Sequence, residues 1–170
     1  MKRKNAAERV ALCGLLTALM LILGYIENLL PIPVGVPGVK LGLSNGVLLF
    51  ALYLLDIPTA LTLMVVKVVL SGLLFGGVSA MMFALAGGLL SMAVMAPLSR
   101  FGRVSILTVS IFGAVCHNIG QVLVAMLILK TTGLLYYLAV LMLVGVATGA
   151  LTGVAAGEVI KHMKALKKAR

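Results

Sequence analysis

The sequence predicts an all-α integral membrane protein, a six-transmembrane-helix bundle with both termini cytoplasmic. Three observations carry that prediction. The chain is 62% hydrophobic and only 11% charged, and its mean hydropathy is +1.22; soluble domains carry about 25% charged residues. Its apolar residues form continuous runs that approach the roughly 20 residues needed to cross about 30 Å of hydrocarbon. Its Lys and Arg residues gather at alternate connections between those runs.

The first run, Val10–Ile26, follows a basic start. No small-residue cleavage site clearly follows it, so it reads as a retained helix rather than a signal peptide. The second, Leu41–Leu55, is short and lies beyond a Pro/Gly-rich connection, so an irregular start or a tilt is expected. The others are Thr59–Phe75, Ser79–Leu98, Ile106–Leu129 and Leu134–Ile160. Unbroken apolar runs suit helices, which satisfy their own backbone groups in lipid. Barrel strands alternate apolar and polar residues instead. Residues 1–170 thus read as a single membrane domain, with an outer Pro/Gly-rich loop at 28–40 and a basic cytoplasmic tail at 161–170.

With both termini on one side, that side collects Lys2, Arg3, Lys4, Arg9, Arg100, Arg103, Lys161, Lys164, Lys167, Lys168 and Arg170. The opposite loops keep Lys40 and Lys130, and Lys67 lies inside a span. The asymmetry is a positive-inside signal. It also accounts for the net charge of +10 without nucleic acid: basic residues at cytoplasmic ends set orientation and attract anionic membrane lipids. Tyr25, Tyr136 and Tyr137 then fall near the outer interface and Tyr53 near the inner one. Cys13 and Cys116 both lie within spans and offer neither a disulfide framework nor metal spacing. No GxxxxGK[ST] phosphate loop is present, so ATP hydrolysis is not expected of this chain.

Small residues mark the close contacts. Gly145, Gly149, Gly153 and Gly157 recur every four residues in the sixth run, a ridge without side chains that another helix can approach. Packing within the bundle and contact with another subunit both fit it. Ala7 and Ala11, followed by Gly14 and Ala18, make a second small-residue pattern in the first run. Gly87 and Gly88 suggest a tight contact or a flexure in the fourth.

Polar residues within the apolar runs require a different explanation. Lys67 lies near the middle of its span, and its side chain cannot cover the roughly 15 Å from midplane to bilayer surface. The acidic residues Glu8, Glu27, Asp56 and Glu158 all fall near span ends, so Lys67 has no evident carboxylate at its depth. A substrate contact and an internal structural bond both answer the problem, and Ser71 one turn later would line the same space. In "GAVCHNIGQ", Gly113, His117, Gly120 and Gln121 share one helix side, with Asn118 about a quarter-turn away. A ligand-facing role and an interhelical hydrogen-bond network are the two readings here. The outer stretch "ENLLPIPVGVPGVKLGLSN" holds Pro31, Pro33 and Pro37, with Lys40, Ser44 and Asn45 toward its end. Its turns suit a lid over an outward-facing pocket, or a stiff connector.

The blocks "GYIENLLPIPVGVPGVKLGLSN", "KVVLSGLLFGG", "GGLLSMAVM" and "GAVCHNIGQ", in this order, resemble the Gx transporter family, often labelled heptaprenyl diphosphate synthase component I. The resemblance runs from about Val10 to Ile160 and places the chain among relatives of the substrate-binding S components of energy-coupling factor transporters. It implies a six-helix bundle that captures a micronutrient from outside, together with a transmembrane coupling subunit and two ATPase subunits. It also implies that the first outer loop caps the pocket and that an AxxxA motif, here Ala7 and Ala11, docks the coupling subunit. That motif lies at the very start of the helix, an unusual position for it.

The synthase label meets a chemical obstacle. Prenyl chain elongation needs acidic clusters that hold Mg²⁺ against diphosphate, and hard cations demand oxygen ligands in close geometry. The chain has one Asp and no two neighbouring acidic residues. The expectation is therefore a protein that is not an enzyme, has no cofactor or metal site, and resides in a prokaryotic cytoplasmic membrane. It would bind a small molecule through Asn45, Lys67, His117, Asn118 and Gln121, where a positive Lys67 suits an anionic group. A noncatalytic accessory of polyprenyl diphosphate or quinone biosynthesis and a structural subunit of a membrane complex are the rival readings.

Overall fold

The computed structural model describes residues 6–29 and 43–168. Among them every regular element is helical: α1 (Ala6–Leu29), α2 (Leu43–Leu54), α3 (Ile57–Ser71), α4 (Gly77–Arg100), α5 (Ile106–Leu129) and α6 (Leu134–Lys168). A π-helical segment, Gly72–Gly76, joins α3 to α4, so one helical run continues from Ile57 to Arg100. The basic stretch from Lys161 continues α6 as far as Lys168. The lid-loop residues Pro31, Pro33, Pro37 and Lys40 lie outside the described residues.

Among the described residues four helical runs are long and apolar enough to cross a membrane, and this is a multi-pass membrane protein. Six full-length spans are not shown among the described residues. The expected second span is the 12-residue α2, about 18 Å at 1.5 Å per residue and short of the hydrocarbon thickness. The expected third and fourth spans belong to the single run Ile57–Arg100. Apolar composition marks where lipid is tolerated, but it does not register how a helical run is bent.

That run folds back on itself. Gly77 has φ 72° and ψ 176°, a backbone conformation essentially reserved for glycine. A Cβ at Gly88 would lie 2.6 Å from Met64 Sδ, and one at Gly72 would lie 2.7 Å from Met81 Cβ. In a straight helix Met64 and Gly88 would stand about 36 Å apart, so α3 and α4 are the two arms of a hairpin. At the opposite end of α3, Asp56 caps the helix by accepting from Thr59 N at 2.8 Å. Arg9 of α1 donates to the same carboxylate at 2.5 Å, tying the start of α1 to the α2–α3 junction. Ser105 caps α5 through Thr108 N.

The solid core gathers in the half of the bundle nearest Asp56. Leu16 and Met20 of α1 meet Leu48, Leu49 and Leu52 of α2, Leu63 and Met64 of α3, Met92 of α4, Val109 of α5 and Ile160 of α6. Outward faces carry large apolar groups such as Leu15, Leu73, Leu127 and Leu143, all more than half exposed. Such a surface suits hydrocarbon as its solvent. Beside that core the helices part around an internal space lined from Tyr25 and Gly76 to Met95 and Ser110.

Candidate functional site

A cavity of about 780 Å³ occupies that space. Its lining begins at one end of the bundle, with Tyr25 and Glu27 late in α1, Ser44 and Asn45 early in α2, Gly76 at the hairpin turn and Leu134 at the start of α6. It reaches inward to Ser91 of α4, Ser110 of α5 and Thr152 of α6. All five residues singled out from the sequence, Asn45, Lys67, His117, Asn118 and Gln121, line this one cavity, and so does Ser71. They come from α2, α3 and α5, so their convergence is a product of tertiary packing.

Helix α5 divides its polar residues between two neighbours. A Cβ at Gly87 of α4 would lie 2.6 Å from the His117 carbonyl oxygen and 2.8 Å from Gln121 Cγ. One at Gly120 would lie 2.8 Å from the Ala86 carbonyl oxygen. Glycine on both helices lets α4 and α5 cross in near-backbone contact, which seats His117 and Gln121 on the α4 side. Asn118, about a quarter-turn on, faces α6 and donates through Nδ2 to the Leu141 carbonyl at 2.7 Å. The interhelical-bond reading therefore describes Asn118, which lines the cavity as well. Deeper, the buried hydroxyls of Ser110 and Thr152 meet at 3.2 Å, and Thr152 donates to the Thr148 carbonyl at 2.9 Å.

Two further groups belong to the cavity wall. Glu27, expected beside the outer loop, is 8% exposed and lines the same cavity as Lys67 and His117. None of these three side chains is without an interaction of its own in the protein. Tyr137, expected as an interfacial ring, also lines the cavity, and its hydroxyl is buried without a hydrogen-bond partner among the described residues. At the mouth, the Tyr25 and Phe75 rings lie 5.2 Å apart, linking α1 to the hairpin turn. The sequence signal for Glu27 was present as an acid within the run "GYIENL", but its distance of forty positions from Lys67 concealed the association.

The remaining residues singled out from the sequence separate into packing and surface. The glycine ridge of α6 faces α5: a Cβ at Gly149 would lie 2.8 Å from Ile111 Cα, and one at Gly153 would lie 2.8 Å from Ser110 Cβ. At Gly145 it would lie 2.8 Å from Asn118 Nδ2, and at Gly157 only 3.9 Å from Ile106. Ala7 and Ala11, by contrast, are exposed on α1, and a Cβ at Gly14 would meet nothing within 4 Å. Cys13 and Cys116 are free thiols. Among the described residues, no group of three or more His, Cys, Asp or Glu stands close enough to hold a metal ion.

Comparison with known proteins agrees with these features at the level of family. Neither the curated proteins nor the solved structures contain a match to the chain. A family model described as heptaprenyl diphosphate synthase component I matches residues 16–159, a stretch that takes in α2 to α5 whole and most of α1 and α6. This membrane chain, helical in every regular element among its described residues and matched from Leu16 to Val159, belongs to the heptaprenyl diphosphate synthase component I family.

Proposed function

We propose that the chain is a membrane substrate-binding subunit for small-molecule uptake, similar to an energy-coupling factor S component and energised by a separate ATPase module. The observation that supports this reading is the convergence of Asn45, Lys67, His117, Asn118 and Gln121 on one cavity of about 780 Å³ within an apolar bundle. Pockets of roughly 300–1,000 Å³ suit small organic ligands. Polar and ionisable groups at membrane depth are costly unless they meet each other, a cavity or a substrate. Here they meet a cavity.

In this reading α2 and both arms of the Ile57–Arg100 hairpin cross the bilayer together with α1, α5 and α6, and both termini are cytoplasmic. The basic residues at one end of the helices set that orientation in a prokaryotic cytoplasmic membrane. The cavity mouth then faces outward. Lys67 neutralises an acidic group of the ligand, while His117 and the amides of Asn45 and Gln121 give directional hydrogen bonds. Ala7 and Ala11 offer a small-residue surface to a coupling subunit, and two ATPase subunits supply the energy. The chain performs no covalent chemistry: it carries only four acidic residues in all, too few and too dispersed to bind Mg²⁺–diphosphate.

The family description supports a second reading, a noncatalytic accessory of polyprenyl diphosphate synthesis. A lysine in an apolar-walled cavity also suits a diphosphate headgroup. Native mass spectrometry after gentle membrane extraction separates the two. The uptake reading expects a retained small molecule and transmembrane and ATPase subunits in one complex. A prenyl synthase subunit in their place, with product formation dependent on this chain, would overturn it.

A further inference from the structure

The cavity is not simply basic. Glu27, near the end of α1, is 8% exposed and shares its lining with Lys67 of α3 and His117 of α5. A buried carboxylate is strongly disfavoured unless its charge is compensated. Each of these three side chains has interactions within the protein, so any incoming molecule exchanges contacts with a wall that displays both signs. A purely anionic molecule would bring further negative charge into the space that Glu27 lines together with Lys67, and like-charge juxtaposition is a strong penalty. A molecule bearing both signs leaves neither wall charge opposed.

We infer that the cavity selects an amphoteric ligand, with a basic or donor-rich group placed toward Glu27 and an acidic or acceptor group placed toward Lys67. Glu27 is the residue that determines the first half of that specificity. Asn45 and Gln121 supply neutral hydrogen bonds around it. The inference rests on the uptake reading and narrows its substrate class. It also opposes the accessory reading, whose diphosphate headgroup carries negative charge alone.

The test uses the full-length protein extracted gently from membranes, with small molecules released by denaturation and identified by accurate mass and fragmentation. The expected result is a retained molecule containing both an acidic and a basic group. Glu27→Gln should reduce its retention roughly tenfold or more, as loss of one partner in a buried charged contact does, while Glu27→Asp, which keeps the charge, retains more than Glu27→Gln. A retained molecule with acidic groups only would overturn the inference while leaving the uptake reading intact. So would retention by Glu27→Gln equal to wild type. Inorganic diphosphate provides a second probe: thermal stabilisation of the wild type as large as that of Glu27→Gln also overturns it. Wild type that retains no small molecule at all would sink the uptake reading and this inference together.

Discussion

The side-chain amide of Asn118 donates to the backbone carbonyl of Leu141 at 2.7 Å, and it does so across the bare backbone of Gly145. A Cβ at position 145 would lie 2.8 Å from the donating nitrogen. The glycine and the amide are therefore one device: the missing side chain admits the hydrogen bond that joins α5 to α6. Gly149 and Gly153 extend the same close approach along α6, toward the Ser110–Thr152 contact.

Gly145→Ala should consequently lower stability by about 1–3 kcal/mol through overpacking. Asn118→Ala should cost only about 1 kcal/mol, the usual scale of interhelical hydrogen bonds in membranes. The two losses should not add, because alanine at position 145 already displaces the amide. Thermal unfolding of the single and double variants in detergent measures this. A fully additive double variant would separate the glycine from the hydrogen bond.

A backbone argument gives a second prediction at the hairpin turn. Gly77 holds φ 72° and ψ 176°, and no neighbouring atom would obstruct a Cβ there. Gly77→Ala should therefore destabilise the fold by about 1–3 kcal/mol from conformation alone. Gly14→Ala on the outer face of α1, where space is also open, should cost nothing. Equal unfolding temperatures for the two variants would contradict the assignment of strain to position 77.

Much of the helical content was legible in the sequence because hydropathy sums over many residues. The ends of α5 agree with the expected span, Ile106–Leu129. The hairpin was harder to read, since helical geometry continues through Gly72–Gly76 while the chain reverses at Gly77. The spacing of His117, Asn118 and Gln121 was enough to separate one helix face from another, and the structure seats them toward α4 and α6 accordingly. Periodicity says nothing of which helices meet. For that reason the approach of Glu27 to the cavity of Lys67, and of Arg9 to Asp56 across 47 positions, emerged only from the fold.

The Arg9–Asp56 contact predicts a pH dependence. The Thr59 hydroxyl donates to Asp56 at 2.6 Å and the Thr59 N–H at 2.8 Å, and with help from Arg9 they hold the carboxyl below its ordinary value. A group whose pKa is lowered on folding adds stability above its unfolded value, and that stability is lost as pH falls through the folded one. Asp56→Asn keeps a capping side chain and removes the charge, so it should be less stable than wild type at neutral pH. The gap should close as pH drops below roughly 4. Asp56→Ala loses the cap too, at a cost of about 1 kcal/mol. Because both side chains of the ion pair are about half exposed, high salt should remove only the Arg9 part of the effect. A gap for Asp56→Asn that is unchanged at low pH would show that the charge contributes nothing.

Lys67 supplies a binding prediction. Lys67→Ala should insert into the membrane as wild type does, yet lose roughly tenfold or more of the small molecule retained on extraction. Gln121→Ala should lose less, because a neutral hydrogen bond contributes about 1 kcal/mol. Comparing retained amounts per mole of folded protein separates binding from expression. Undiminished retention by Lys67→Ala would remove the lysine from the ligand site.

The exposed start of α1 makes the partner prediction a clean one. Ala7 and Ala11 are exposed, so leucine at either position meets no buried neighbour and should leave the unfolding temperature of the isolated protein unchanged. A helix that docks there needs the small side chains for close approach, and two leucines would hold it off. The double variant Ala7→Leu, Ala11→Leu should therefore recover less of the proposed coupling subunit in a pull-down from detergent-solubilised membranes. It should retain its small molecule normally, because neither residue lines the cavity. Full recovery of the partner would move the docking surface away from α1, whereas loss of both partner and small molecule would point to a damaged bundle rather than a blocked interface.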